Sequence, residues 1–427
     1  MGSGVAGILL FLIGLGATYR VRVIGLIGLS EILIFGIAPV LFLVNWGRLK
    51  KDGFMPVLTL CGLTMLGCGI ASWQNNIYVV DFIRGCASPY AIFASIVVIH
   101  ALLSKSPKSI CWLALGLGVS FAVSSALRGG SGAASGVSLE SEEYRAQVLL
   151  LYAVIPLILC PIAGWYMKLP LLYSIGAPFA LSAYCLLSSS SGRSMAFTCA
   201  CVGLLTALGF KNEAKMSNIR RHFFKFAIVA LVFVAGFKYF YEYAAAHGML
   251  GDAQRTKYER QTHGKKGVAS LIMGGRVEFF VGLRAALDKP IIGHGPWAQD
   301  IKGYYVEFLE KYGDSDDLQR YIQARYQMGY VNIIPTHSHI VGFWVSYGIF
   351  GLIFWCYVLW LFYDIFKHHI GAVPEFYGYI CVWLPPFVWA IFFSPFSERV
   401  QLSALVTVLL MVRNANKARA RLCSRVY

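Results

Sequence analysis

The chain has 427 residues, of which 57% are hydrophobic and only 14% are Asp, Glu, Lys or Arg. A soluble globular protein carries roughly 25% charged residues, so this composition excludes an ordinary soluble enzyme, a disordered protein and a nucleic-acid-binding protein. The net charge of +16 does not indicate a nucleic-acid partner either, because most Lys residues form short clusters between apolar runs. That pattern fixes the orientation of a membrane protein.

Twelve apolar runs follow one another along the chain, and they predict an all-α polytopic membrane protein with about twelve transmembrane helices. The tenth run is longer than one span requires, so its first part is predicted to be a helix that does not fully cross the membrane. The runs cover residues 4–19, 23–45, 53–73, 89–104, 109–127, 146–167, 170–188, 194–210, 226–243, 340–366, 376–394 and 400–412.

Lys and Arg are unevenly distributed between the two sides of these spans. The even-numbered connections and the C-terminal tail carry seventeen, whereas the short odd-numbered connections carry seven. This excess places both termini in the cytoplasm. The seven outer residues are all Arg, whose planar fork matches phosphate oxygens, so they are either interfacial anchors or part of an outer surface that handles phosphate. They are Arg20, Arg22, Arg84, Arg128, Arg145, Arg193 and Arg399.

One connection, residues 244–336, is far longer than the others and contains twelve basic and ten acidic residues. Ile301, Tyr304, Tyr305, Phe308 and Leu309 share one helical face, which predicts a helix. A second helix is predicted further along, where Ser315 is a plausible N-cap. We expect a small helical cap on the outer face of the membrane bundle.

The predicted organisation therefore has four parts. Residues 1–243 hold the first nine spans, and residues 244–336 form the outer cap. Residues 337–413 hold the last three spans, and residues 414–427 form a basic cytoplasmic tail.

Three Arg residues on the outer side are candidate anion ligands. Arg193 follows a run of Ser and Gly that lets a ligand approach the backbone, although it could equally be an Arg that reaches the interface from the end of a span. Arg276 follows two Gly residues at a predicted helix start, where free N–H groups attract anions; a local ion pair with Glu278 is the alternative. Arg84, after Asp81 in another outer loop, is a weaker candidate.

Two His residues, His337 and His339, lie where the predicted cap re-enters the membrane. A His at an interface can act as a general base near neutral pH, and a structural, hydrogen-bonded His is the alternative. His-Ser-His supplies at most two metal ligands and has no carboxylate partner at helical spacing, so no metal site is predicted. The sequence lacks Gly-Lys-Ser, Gly-x-Ser-x-Gly and His-Glu-x-x-His motifs, which argues against an NTPase, a serine hydrolase and a zincin.

The stretch from His337-Ser338, through nine residues, to Gly348 and Gly351 resembles a signature of bacterial O-antigen ligases and O-antigen polymerases, His-(Asn/Ser/Gln)-x9-Gly-x-x-Gly. The dozen spans and the large outer loop before this motif are also similar to that family. The family's Arg at the outer end of a span, its Gly-Arg in the large loop and its Gly-x-Gly further on match Arg193, Arg276 and Gly293-x-Gly295. The motif resemblance covers roughly residues 185–366.

The resemblance implies the broad type C glycosyltransferase fold, without metal or cofactor, in the bacterial inner membrane. Enzymes of this family move a glycan from undecaprenyl diphosphate to an acceptor hydroxyl on the periplasmic side. On this resemblance His337 is the base, with His339 as alternate or orienter. Arg193 and Arg276, and more weakly Arg84, bind the diphosphate of the donor.

Three functions stay open on the sequence alone. A ligase would use the lipid A core as acceptor, a polymerase would use a second lipid-linked glycan, and the ligase is favoured. A transporter of lipid-linked sugars is disfavoured, because transporters show internal repeats and polar residues at the middle of the membrane. Here the candidate charges lie at the outer ends of the spans, and membrane lipids complete the expected partners.

Overall fold

The computed structural model describes residues 3–17, 19–22, 26–131, 170–187, 193–210, 277–312, 333–368, 374–394 and 399–426, with a few isolated positions between 162 and 255. Apart from one short hairpin, its regular elements are helices, which confirms the all-α class. The helices are α1 (Ser3–Gly16), α2 (Leu29–Lys51), α3 (Met55–Gln74), α4 (Val79–Leu103), α5 (Ile110–Ser131), α6 (Leu171–Leu187), α7 (Arg193–Phe210), α8 (Val277–Asp288), α9 (Tyr304–Tyr312), α10 (His339–Tyr347), α11 (Ile349–His368), α12 (Pro374–Phe393) and α13 (Arg399–Val426).

The hairpin corrects the predicted start of the second span. Strand β1 (Arg20–Arg22) pairs antiparallel with β2 (Leu26–Gly28), and α2 begins only at Leu29. The carboxylate of Glu31 accepts a hydrogen bond from the Gly28 N–H at 2.9 Å. A carboxylate in the first turn satisfies a free N–H at the helix start, so the helix begins at this point and not at residue 23.

Within the described residues, four helices are long and apolar enough to cross a membrane: α2, α3, α4 and residues Glu375–Phe393 of α12. Shorter apolar helices occur at Gly4–Gly16, Pro107–Phe121, Ala196–Ala207 and Ile349–Ile365. The predicted spans at 146–167 and 226–243 lie almost entirely outside the described residues, so the count of twelve remains a prediction. α13 continues from the last predicted span through residues 414–426 of the predicted tail.

Close packing between helices relies on small residues. Gly14 of α1 faces α5 so tightly that a Cβ atom there would lie 2.5 Å from the Leu113 carbonyl oxygen. Without a hydrophobic effect between helices in lipid, this close approach of backbones is a main source of packing energy. α4 lies against α2, α3 and α13, and most of its apolar length is buried between them.

The two ends of the bundle differ in charge. One end carries the Lys and Arg at the end of α2, where Arg48 donates to the Ser104 hydroxyl at 3.1 Å. The opposite end holds a buried ion pair between Arg399 Nε and a Glu31 carboxylate oxygen at 3.0 Å, and Arg399 also donates to Ser88. The basic end of α2 and the Arg399–Glu31 pair therefore lie at opposite ends of the bundle.

The long tenth run is divided, as predicted. α10 has nine residues and is about 14 Å long, too short for a hydrocarbon core of about 30 Å. Gly348 separates it from α11 with a φ of +63°. Of the two predicted cap helices, the first is present as α9, whereas the one predicted after Ser315 lies outside the described residues.

Candidate active site

The segment that carries the two His residues is held by a helix cap. The Ser338 hydroxyl accepts a hydrogen bond from the Val341 N–H at 3.3 Å, so Ser338 is the N-cap of α10. The same hydroxyl donates to the Ile391 carbonyl at 2.8 Å, which connects the N-terminus of α10 to the end of α12. Ser and Asn are both strong N-caps, so Ser338 performs a role that the Asn of the signature would also fill.

The structure separates the two His residues that are alternatives in the sequence. His337 precedes the N-cap residue Ser338, and its side chain is exposed. His339 is the first residue of α10 and is fully buried, with its ring centroid 5.1 Å from that of Trp355. A base must reach the hydroxyl of an incoming acceptor, so the exposed His337 suits that role and His339 suits a packing role.

The signature glycines allow two backbone segments to touch. A Cβ atom on Gly348 would overlap the Ile291 carbonyl oxygen and lie 2.5 Å from the carbonyl carbon of Ile292. The Ile349 N–H donates to that Ile291 oxygen at 2.9 Å. A Cβ atom on Gly351 would likewise overlap the Phe343 backbone. Gly348 therefore forms a junction at which the loop after α8 lies directly on the break between α10 and α11, and Gly351 allows α11 to approach α10 closely.

The Gly-x-Gly motif forms the other side of this junction. Gly293 has a φ of +81°, and a Cβ atom on it would lie 2.7 Å from the Gly348 nitrogen. The His294 N–H donates to the Val345 carbonyl at 2.7 Å. The His294 ring is buried with Nε2 2.8 Å from the Ala285 carbonyl, and this burial lowers the pKa of His294. A neutral ring that donates to a carbonyl is a structural group, so His294 sets the shape of the loop.

Polar contacts stabilise the segment from α8 to α9, which lies within the predicted cap. The Asp300 carboxylate accepts hydrogen bonds from the backbone N–H groups of Tyr304 at 2.8 Å and Tyr305 at 2.9 Å, so it caps the start of α9. Hydrogen bonds from Lys302 and from the Tyr304 hydroxyl, both at 2.7 Å, lower the pKa of Asp288 to about 2. These contacts join the end of α8 to the start of α9.

Three segments that are remote in sequence meet at the C-terminal end of α12. Phe279, in the first turn of α8, lies 6.1 Å from Phe393 between ring centroids. Phe393 lies 4.9 Å from Trp389, which is 6.1 Å from Phe197 in the first turns of α7. The Ser338 cap contacts the same turn of α12. The aromatic end of α12 therefore links the starts of α7, α8 and α10.

Three of the predicted site residues, Arg193, Arg276 and His337, belong to or adjoin these helix starts. Arg193 is the first residue of α7, and Arg276 immediately precedes the first residue of α8. The side chain of Arg193 and the whole of Arg276 lie outside the described residues. The backbone starts of both helices nevertheless converge with the His337 segment on α12. The sequence analysis did not identify α12 as part of the site. The signal for it in the sequence is the aromatic cluster Trp389-x-x-Phe392-Phe393 at the end of a span.

The prediction that Arg84 lies in an outer loop is wrong. Arg84 lies in the second turn of α4, exposed, with Nη1 3.1 Å from the carboxylate of Asp81 one turn earlier. The neighbouring Gly85 carbonyl accepts a hydrogen bond from the Tyr347 hydroxyl at the far end of α10. His337 precedes the near end of α10, and the helix extends about 12 Å between its first and last residues. Arg84 therefore lies near the opposite end of α10 from His337.

Arg84 was misplaced because its charge and that of Asp81 lower the hydropathy of the first turns of α4. In the structure these two charges pair along the helix surface, and Pro89 is accommodated inside the helix. Membrane helices tolerate an internal Pro where neighbouring helices satisfy the freed backbone groups. The helix therefore starts ten residues before the predicted span.

A comparison with protein families gives a match in the central part of the chain. Residues 177–356 match the family described as O-antigen ligase. The matched region contains α7, α8 and α9, the His337 segment and the glycine junction. Comparisons with curated proteins and with solved structures found no match.

Proposed function

We propose, because residues 177–356 match the O-antigen ligase family, that this protein is an inner-membrane glycosyltransferase of the ligase type. Its donor is a glycan linked to undecaprenyl diphosphate, and its acceptor is a hydroxyl of the lipid A core on the periplasmic face. The observation that carries this proposal is the meeting of the His337 segment with the starts of α7 and α8 at the end of α12. On this proposal, His337 supplies the base, and Arg193 and Arg276 supply the anion ligands, that transfer from a lipid diphosphate requires.

The proposed reaction is a direct displacement. His337 takes the proton of the acceptor hydroxyl, whose oxygen forms a bond to the anomeric carbon of the donor sugar. The bond from that carbon to the diphosphate oxygen breaks, and its electron pair leaves with undecaprenyl diphosphate. Arg193 and Arg276 donate charge-assisted hydrogen bonds to the negative charge that develops on the diphosphate, so the step uses no metal ion. Direct displacement inverts the anomeric centre.

A transfer assay tests this function and separates it from polymerisation. The purified protein is given lipid-linked glycan with and without lipid A core, and the products are followed by gel and mass spectrometry. We expect glycan on the core and no lengthening of the lipid-linked chain. Lengthening without core would instead assign a polymerase, and the absence of both products would overturn the proposal of a transferase.

The diphosphate ligands are tested by conservative substitution. Arg193→Lys and Arg276→Lys keep the positive charge and remove the planar fork, so each is expected to reduce transfer by about 10²–10³. Arg48→Lys, at the opposite end of the bundle, is the matched control and should transfer normally. Wild-type rates in both site variants would show that these Arg residues only anchor the helices at the interface.

The orientation of the cap is tested with a reporter. Alkaline phosphatase fused after residue 285, within α8, should be active, because we expect residues 244–336 to be periplasmic and the enzyme folds only after export. The same reporter fused after Lys105, in the basic connection between α4 and α5, should be inactive. The reverse pattern would place every proposed site residue on the cytoplasmic side.

A further inference from the structure

The loop between α8 and α9 presents apolar side chains that no described part of the protein covers. Ile291 is 70% exposed, Trp297 is 53% exposed and Ile301 is 88% exposed. Large apolar side chains that are exposed on a segment outside the predicted spans are typical of an interaction surface. We propose that this loop is an interfacial membrane anchor, with Ile291, Trp297 and Ile301 in contact with lipid at the boundary between headgroups and acyl chains.

The exposure is built into the loop, because its backbone is held on several sides. The Trp344 indole donates to the Pro290 carbonyl at 2.8 Å, and the Ile334 N–H donates to the Ala298 carbonyl at 2.9 Å. Together with the glycine junction, these hydrogen bonds hold the backbone from which the exposed side chains project. Trp297 itself has a φ of +57°, which is unfavourable for a residue with a Cβ atom, so the fold maintains a strained backbone where this indole is exposed.

The position of the loop relative to the spans identifies lipid as its partner. The Asn75 side chain donates to the Gly293 carbonyl at 3.2 Å, and a Cβ atom on Gly295 would lie 2.8 Å from Ile77. Asn75 and Ile77 belong to the turn between α3 and α4, two helices that can each cross a membrane. The loop therefore lies at the level where these spans leave the hydrocarbon core.

The α3–α4 turn has the composition of a membrane interface. Trp73 is 85% exposed, Tyr78 is 76% exposed and Val79 is 70% exposed. Trp and Tyr concentrate at this depth because their rings combine an apolar body with a polar group. Trp297 adds a third aromatic residue at the same level, from the cap and not from a span. The anchor would hold the cap against the membrane surface whatever reaction the protein performs.

Site-specific photo-crosslinking tests this contact on the full chain in lipid nanodiscs. A benzophenone amino acid is placed at position 297 or 301, and phospholipid adducts are measured by mass spectrometry after illumination. Position 43 in α2, where Leu43 is 75% exposed, is the lipid-facing reference. Position 310, where Glu310 is exposed on α9, is the reference for water.

We expect lipid adducts at positions 297 and 301 in amounts similar to position 43 and several-fold above position 310. Adduct levels equal to those at position 310 would show that the loop faces water and would overturn the proposal. Crosslinks to a second copy of the chain in place of lipid would also overturn it, because the surface would then be a protein interface. Neither outcome depends on whether the protein transfers glycan.

Discussion

Replacing His337 with Ala is expected to abolish glycan transfer while the protein remains folded and inserted. The loss of a general base typically costs about 10²–10⁴ in rate. His337 is exposed and lies outside α10, so its removal leaves no cavity and should change the melting temperature little. Turnover of lipid-linked glycan is measured beside donor binding, which should persist because the proposed anion contacts come from Arg193 and Arg276.

The matched control is His339→Ala, two residues along the chain. His339 is fully buried against Trp355, so truncation leaves a cavity of the kind that costs about 3–5 kcal/mol for a large aromatic side chain. We expect a lower melting temperature and a lower yield, with transfer falling only in proportion to the folded fraction. A stable His339→Ala protein without activity, beside an active His337→Ala protein, would reassign the base to His339.

Hydropathy alone predicted the helical class and most helix positions, because apolar runs of this length have few alternatives in a membrane. It also predicted the division of the tenth run, since residues 340–366 exceed the length of one span. Charged residues predicted the helix boundaries less well. Asp81 and Arg84 were interpreted as a loop because each lowers hydropathy, whereas in the structure they neutralise each other along one helix face.

The arrangement of the site could be predicted only in part. The motifs selected His337, Arg193, Arg276 and the glycines, but spacing along the chain cannot show that Gly293 touches Gly348. Nor could it show that His337 and His339 lie in opposite environments, because this depends on where α10 begins. The hairpin before α2 was missed for a similar reason: its strands are three residues each and apolar enough to be included in a span.

Substitution of Gly348 by Ala is expected to disrupt the glycine junction and with it both stability and transfer. The backbone at Gly348 has φ +63° and ψ −146°, a region that residues with a Cβ atom rarely adopt, at a cost of about 1–3 kcal/mol. The new methyl group would also overlap Ile291 and disturb the hydrogen bond from the Ile349 N–H. Overpacking of this kind typically costs a further ~1–3 kcal/mol, similar to the strain.

Two other glycines separate these contributions. Gly53 has a φ of +73°, and a Cβ atom on it would meet nothing within 4 Å, so Gly53→Ala adds backbone strain without overlap. Gly62 lies in α3 with the same open space and no positive φ, so Gly62→Ala should be neutral or stabilise the helix by up to about 1 kcal/mol. Melting temperatures of the purified variants should therefore fall in the order Gly62→Ala, Gly53→Ala, Gly348→Ala, and only the last should lose transfer. If Gly348→Ala were as stable as Gly53→Ala, the close contact between the loop and the α10–α11 break would not be the reason that position 348 requires glycine.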